Sequence, residues 1–223
     1  MPVPRVSVII PTMNEEKSIG LVIDEVNQAL GQIPHEILVV DTDSKDRTRE
    51  IALGKGAVII DEPRRGYGRA YKTGFEQAKG DTIATLDADL TYPASMIPHL
   101  VDMLDGKGID FITTNRLASM EKGSMSAKHR FGNWVLSVTF RILFRVKVKD
   151  SQSGMWVFRR SILKDLDIRS DGMPMSEELK IEAFKKSRGA EVPINYRPRV
   201  GDVKLSSWKD GFGNLKYLFE KRF

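Results

Sequence analysis

The 223-residue sequence predicts an α/β protein, built as one domain around a doubly wound, mainly parallel sheet. Three observations predict it. Short β-branched runs alternate with amphipathic helical stretches four times in the first 90 residues, the pattern of strand–helix–strand units with right-handed crossovers. Polar loops at 11–16, 41–48 and 87–91 each follow a strand, so they meet at the carboxyl edge, where sheets of this kind bind ligands. The chain contains no Cys and is long enough to bury a core without disulfide staples.

Val6-Ser7-Val8-Ile9-Ile10 is short, apolar and β-branched, a buried strand. Pro11 through Glu16 breaks it. Ile19, Val22, Ile23, Val26 and Leu30 then recur at helical spacing and predict a helix over 16–30. Ile37-Leu38-Val39-Val40 is the second strand. It enters Asp41-Thr42-Asp43-Ser44-Lys45-Asp46-Arg47-Thr48, dense in helix-capping residues, and a helix follows over 46–54. Ala57 to Ile60 is a third strand, and Gly66-Tyr67-Gly68 opens a helix reaching Ala78. The Gly66-x-Gly68 pair either cradles phosphate on backbone N–H groups or makes a tight turn. Thr82 to Leu86 is the fourth strand.

A helix over 93–104 leads to a strand at 110–114. The Met-, Ser-, Lys- and Gly-rich stretch 118–133 reads as a loop. Trp134 to Val146 reads as an amphipathic helix carrying Arg141 and Arg145. A strand at 156–158, a helix over 176–187 capped by Ser176, and a strand at 192–196 complete the pattern. The apolar stripe after Trp134 and the tail with Trp208, Phe212, Tyr217, Phe219 and Phe223 either fill a core or lie on a bilayer interface.

Net charge is +5 but unevenly spread: −6 over 1–115, +8 over 116–160 and +3 over 161–223. An acidic half joined to a basic middle suits a metal-using half and an anion-handling half. Aromatics are few and no nucleic-acid motif is present, so the anion expected is a lipid or a phosphorylated substrate and not nucleic acid. The opening Met1-Pro2-Val3-Pro4-Arg5 lacks the apolar core of a signal peptide. No run reaches the roughly 18 apolar residues of a spanning helix, so a soluble or peripheral chain is expected.

The fourth strand delivers Thr85-Leu86-Asp87-Ala88-Asp89-Leu90. Side chains at i and i+2 of an extended segment point the same way, so Asp87 and Asp89 converge across the small Ala88. Two hard oxygen donors facing a cleft suit a divalent cation that also holds phosphate oxygens. Their alternative is a solvated strand end.

Five ordered stretches together resemble one family. Val6 to Glu16 looks like the opening of the inverting family 2 glycosyltransferases of the GT-A, Rossmann-like fold. Val39 to Thr48 is similar to their second loop, and Asp87-Ala88-Asp89-Leu90-Thr91-Tyr92-Pro93 resembles their D-x-D site. Lys149-Asp150-Ser151-Gln152-Ser153-Gly154 and Arg199 to Leu205 look like the polyprenyl-phosphate (dolichyl-phosphate) mannose and glucose synthases.

The resemblance implies a half at 1–115 that binds a nucleotide sugar, of the GDP-mannose or UDP-glucose type, and a half at 116–223 that shapes a polyprenyl-phosphate acceptor site. Pro11, Thr12 and Glu15 would line the nucleotide pocket, with Asp41 and Asp43 towards base or ribose; the helix opened by Gly66-x-Gly68 places Lys72 one turn in, near that pocket. Asp41, Asp43 and Asp46 otherwise serve as helix caps. Asp87, Asp89 and Thr91 would hold Mg²⁺ or Mn²⁺, with Asp89 catalytic; Thr91 stands where many such synthases carry Gln. Arg116 and Arg130 would act on the reacting phosphates, with Arg199 and Lys204 binding substrate. The placement implied is peripheral, at the cytoplasmic face of a membrane. Relatives that glycosylate a saccharide or other hydroxyl use a carboxylate base, for which Glu177 and Glu178 are candidates beside their ordinary reading as first-turn helix acids.

Overall fold

The computed structural model describes residues 3–201 and 207–223, with side chains except at 207–210. Seven strands form one sheet: β1 (Val6–Thr12), β2 (His35–Asp41), β3 (Val58–Asp61), β4 (Thr82–Thr85), β5 (Phe111–Met120), β6 (Trp156–Arg159) and β7 (Gly189–Tyr196), in the order β3-β2-β1-β4-β6-β5-β7. Every pairing is parallel except those of β6, which runs antiparallel to β4 and β5.

The two faces follow from the period of two along β1. Val6, Val8 and Ile10 point into a core shared with α1 (Ile19–Leu30) and α4 (Ile97–Lys107). Ile9 points the other way, into a core with α3 (Tyr67–Gln77) and α6 (Met175–Lys186). Between these, α2 (Thr48–Gly54) links β2 to β3. A third apolar cluster joins α5 (Ala127–Phe144) and α7 (Ser207–Arg222) through Leu136, Phe140, Phe144 and Leu218, with Ile181 of α6 beneath them.

Register decides what reaches the carboxyl edge. Thr12 lies opposite Asp41, and Ile9 opposite Thr85, so the loops after β1, β2 and β4 leave at one end. Because β6 is reversed, its first residue Trp156 lies opposite Thr113 of β5. The stretch 149–155 that precedes β6 therefore opens onto that edge, as does Arg116 of β5. Among the described residues, three of the four non-glycine residues with positive φ sit on these loops: Asn14 (56°), Asp43 (54°) and Leu90 (65°). Such backbone concentrates at functional sites.

Two sequence expectations change. The stretch 118–133 is not a loop throughout: β5 runs to Met120 and α5 begins at Ala127. Ser126 caps α5 by accepting the His129 N–H, and the packing of Leu136 and Phe140 holds a helix whose first turns carry no strong periodic signal. Ser176 is not an N-cap, since α6 begins at Met175; its hydroxyl instead accepts from Lys180 Nζ at 2.7 Å.

Candidate active site

The Asp87–Asp89 pair forms the floor. Asp89 is 1% exposed. Its Oδ1 accepts from the Thr91 N–H (3.1 Å) and the Thr91 hydroxyl (2.6 Å), a local turn made by a residue whose short side chain reaches back two positions. Its Oδ2 pairs with Arg199 Nη2 at 2.6 Å. Arg199 arrives there because the chain after β7 runs beside the turn: Arg197 N–H donates to Thr91 O and Val200 N–H to Asp89 O, each at 3.0 Å. Asp87 is half-buried. Desolvation and the neighbouring Asp89 charge push its carboxyl above the ordinary range, against the pull of Arg199 and Arg116.

The wall opposite is the 150–155 stretch. A Cβ on Gly154 would lie 2.6 Å from Tyr67 Oη, so a side chain here would push against the Tyr67 hydroxyl; Asp87 Oδ1, at 3.6 Å, is at ordinary contact distance. The Gly154 N–H donates to Tyr92 Oη at 2.7 Å. Asp150 fixes Arg116 bidentately, Nε at 2.8 Å and Nη2 at 2.9 Å, and the guanidinium lies 5.4 Å from the Tyr196 ring centroid. Lys180, with no exposed surface, donates to Ser151 O, Ser153 O, Ser176 O and Ser176 Oγ within 2.7–3.1 Å. Burial pushes its ammonium down to about 7, while Asp150 and Glu177 pull it up. A cavity of about 750 Å³ extends from Asp87, Arg116 and Arg199 to the apolar gap between α5 and α7.

On the neighbouring strand ends, Asp41 is buried and accepts from the Thr12 hydroxyl (3.2 Å), the Ser44 N–H (3.1 Å) and the Ser44 hydroxyl (2.5 Å). Pro11 and Glu15 flank it, and the Glu15 N–H donates to Thr48 Oγ1 at 2.7 Å. The structure thus brings Asp87, Arg116 and Arg199 onto one cavity, with Asp89 and Thr91 buried behind them and Pro11, Thr12, Glu15 and Asp41 along the same sheet edge. It does not bring in the rest. Lys72 Nζ is engaged by Asp171 (2.5 Å) and Arg169 O (3.0 Å). Exposed Asp43 pairs with Lys45 at 2.5 Å. Arg130 lines a separate groove. Lys204 lies outside the described residues.

The Gly66-x-Gly68 turn holds protein and not phosphate. A Cβ on Gly68 would lie 2.5 Å from Met175 Cβ and 2.6 Å from Ser170 O, and the Arg69 N–H is taken by Asp171 O at 3.0 Å. Gly68→Ala is expected to lower stability by about 1–3 kcal/mol through overpacking, read from urea unfolding. Gly154, Asp150, Tyr92 and Lys180 carry no individual signal in the sequence. The first three lay inside stretches that carried the family resemblance, whereas Lys180 gave no signal.

The donor set fits a divalent ion. The charged donors are two carboxylates with a hydroxyl beside them, all hard oxygen, and among the described residues no cluster of three or more acidic or His side chains forms a complete cage. Mg²⁺-type ions are commonly held by one or two carboxylates with substrate phosphates completing the shell. Arg199 on Asp89 Oδ2 shows that this oxygen takes a cation.

Residues 7–167 match glycosyl transferase family 2. The chain is 38% identical over 220 residues to the low-salt glycan biosynthesis hexosyltransferase Agl6 of Haloferax volcanii, covering 96% of this chain and 53% of that protein. It therefore spans about half the length of that relative. A dolichyl-phosphate hexose transferase of the same organism is 32% identical over 206 residues, 92% of this chain and 88% of that one. The fold matches glucosyl-3-phosphoglycerate synthase of Mycobacterium tuberculosis, solved with Mn²⁺, UDP and glucosyl-3-phosphoglycerate, at a TM-score of 0.77 and 22% identity over 98% of this chain and 80% of that one.

Proposed function

The chain belongs to glycosyl transferase family 2, and from that premise we propose that it transfers a hexose, mannose or glucose, from a nucleotide sugar to a polyprenyl phosphate at a membrane surface. The observation that carries the reading is the cavity: Asp87, Arg116 and Arg199 at one end, with the buried Asp89 behind them paired to Arg199, and an apolar gap between α5 and α7 at the far end. An amphiphile with an anionic head fits that polarity. The names of the relatives, a dolichyl-phosphate hexose transferase among them, support it.

Residues 1–115 hold the nucleotide sugar in this reading and 116–223 shape the acceptor site. Thr12 and Asp41 stand at the nucleotide end. Asp89 and Asp87 would hold Mg²⁺ or Mn²⁺, with the Thr91 hydroxyl beside them; that a protein of the same fold was solved with Mn²⁺ and UDP supports the use of a divalent ion. Such an ion would neutralise the charge that develops on the departing nucleoside diphosphate. Arg199 and Arg116 screen the acceptor phosphate against that diphosphate. Asp150 keeps the Arg116 guanidinium in one plane, which aligns it before the acceptor arrives. A phosphate oxygen is already an anionic nucleophile near neutral pH, so displacement at the anomeric carbon proceeds in line, with inversion, and without a dedicated base. Among the described residues no helix is long and apolar enough to cross a membrane; a peripheral placement, on the cytoplasmic face, completes the reading.

The hydroxyl-acceptor alternative needs a free carboxylate base. Glu177 has no exposed surface, and one of its oxygens accepts from Gln152 Nε2 at 2.5 Å. Burial pushes the acid up to about 8, so near pH 7 it is protonated and a poor base. Glu178 is taken by the N–H groups of Arg169 and Ser170 and by Lys221. Glu177→Gln is accordingly expected to keep most of the transfer rate. It should also flatten a pH slope. The native acid stays protonated to about 8 while the unfolded one ionises near 4.5, so the unfolded state binds fewer protons and stability falls as pH rises between those values. Urea midpoints of wild type and variant at pH 5 and pH 8 check this.

The test of the reading is a transfer assay with Mn²⁺ and a panel of nucleotide sugars, with and without polyprenyl phosphate. A lipid-linked hexose formed only when donor and lipid are both present supports it. Equal transfer to a free saccharide acceptor overturns it.

A further inference from the structure

Residues 122–149 contain seven Lys or Arg and no Asp or Glu. Many arginines elsewhere are neutralised in pairs, as in Arg47–Glu50, Arg64–Glu62 and Arg197–Glu25. Among the described residues Arg130 and Arg141 of α5, and Lys149 beyond its end, have no carboxylate within salt-bridge distance. They line one groove of about 610 Å³ beside α5, whose floor includes Leu117 and whose wall is Phe131 and Trp134. Arg130, Trp134 and Arg141 stand at i, i+4 and i+11, which a helix of 3.6 residues per turn places on one face. Phe131 and Trp134 are stacked, ring centroids 6.0 Å apart, yet 66% and 54% exposed. Phe131 also lines the large cavity, so groove and cavity open on either side of one aromatic.

Unpaired cations attract an anion, but a soluble anion has no use for exposed stacked rings. Rings bordered by cations are the arrangement of a bilayer interface, where the ring sits at headgroup depth and the guanidinium meets phosphate. We propose that this groove is a headgroup site for an acidic phospholipid, a second anion site separate from that of the acceptor phosphate, which seats the cavity mouth on the bilayer. The proposal rests on the membrane-surface reading above. It commits to a lipid because the charge is complementary to an anionic head and the wall is complementary to what lies beneath that head.

The test is co-sedimentation of the full chain with vesicles of phosphatidylcholine alone and of phosphatidylcholine mixed with phosphatidylglycerol. Wild type is expected to prefer the anionic vesicles. The pair Arg141→Gln, Lys149→Gln is expected to lose roughly 25-fold of that preference, about fivefold per basic residue, with an unchanged melting temperature. Three results overturn the proposal: equal binding of wild type to both vesicles, wild-type preference in the paired variant, or release of wild type from anionic vesicles by inorganic phosphate at an ionic strength where chloride leaves it bound, which marks a free-anion site. Transfer to a short, water-soluble polyprenyl phosphate without vesicles should be the same in wild type and the paired variant. Vesicle preference without any such transfer would sink the enzymatic reading and leave the lipid site standing.

Discussion

Asp89→Asn is expected to lose transfer by a hundredfold or more while unfolding at nearly the wild-type urea concentration. The amide keeps an Oδ1 that accepts from the Thr91 N–H and hydroxyl, so the turn after β4 survives. What it loses is the charge at Oδ2, which faces Arg199 at 2.6 Å. Removing one preorganised group that stabilises developing charge typically costs two to three orders of magnitude in rate, on the order of 2.7–4 kcal/mol. Arg199 is itself partly exposed, so its lost partner is replaced by water at little cost to folding. Asp89→Ala is the less informative variant, because it removes turn and charge together. Steady-state kinetics alongside urea melts separate the two. A variant that transfers at the wild-type rate removes Asp89 from the chemistry.

Asp150→Ala is expected to cost about 3–5 kcal/mol of stability, the largest single loss outside the hydrophobic core. The pair it breaks is buried and bidentate, and the lost carboxylate also accepts the Arg116 N–H at 2.9 Å. Truncating one partner leaves a guanidinium desolvated and uncompensated. The double variant Arg116→Met, Asp150→Leu removes both charges and is expected to recover most of the loss, because an apolar pair of similar volume carries no buried charge. Its transfer rate should stay low, since Arg116 lines the cavity. Urea midpoints of the two single variants and the double one give the cycle. A double variant as unstable as Asp150→Ala would mean that the ion pair is not the origin of the loss.

The first half of the fold was legible because it is local. β-branched runs and helical periodicity alternate cleanly up to Leu86, and strand order puts Thr12, Asp41 and Asp87 at one edge with no further information. Around Asp89 the sequence offers Thr91 only as a metal-shell candidate; the turn that lets its N–H and hydroxyl bond Asp89 Oδ1 is seen in the structure. The other wall of the site was not legible. Gly154 matters only because β6 is antiparallel, which turns the 149–155 stretch towards Asp87, and nothing near Gly154 in sequence announces a reversed strand. Lys72 misled because its distance along α3 suggested a pocket, whereas the 169–171 carbonyl and carboxylate hold it 97 and more residues away in sequence. Lys180 gave no signal, being a charged residue with four oxygen acceptors supplied by a loop and a helix turn that only the tertiary fold brings around it. The start of α5 has no apolar period of its own: residues 127–132 are exposed, Ser126 caps the helix, and packing begins only at Leu136.

The most direct measurement is Mn²⁺ binding to wild type and Asp89→Asn with and without a nucleoside diphosphate, read by electron paramagnetic resonance of the free ion. The account predicts that wild type takes up Mn²⁺ more tightly when UDP or GDP is present, because the ion needs both carboxylate and diphosphate oxygens, and that Asp89→Asn loses this uptake beyond what the nucleotide alone chelates. Equal protein-dependent uptake by the two proteins would contradict it.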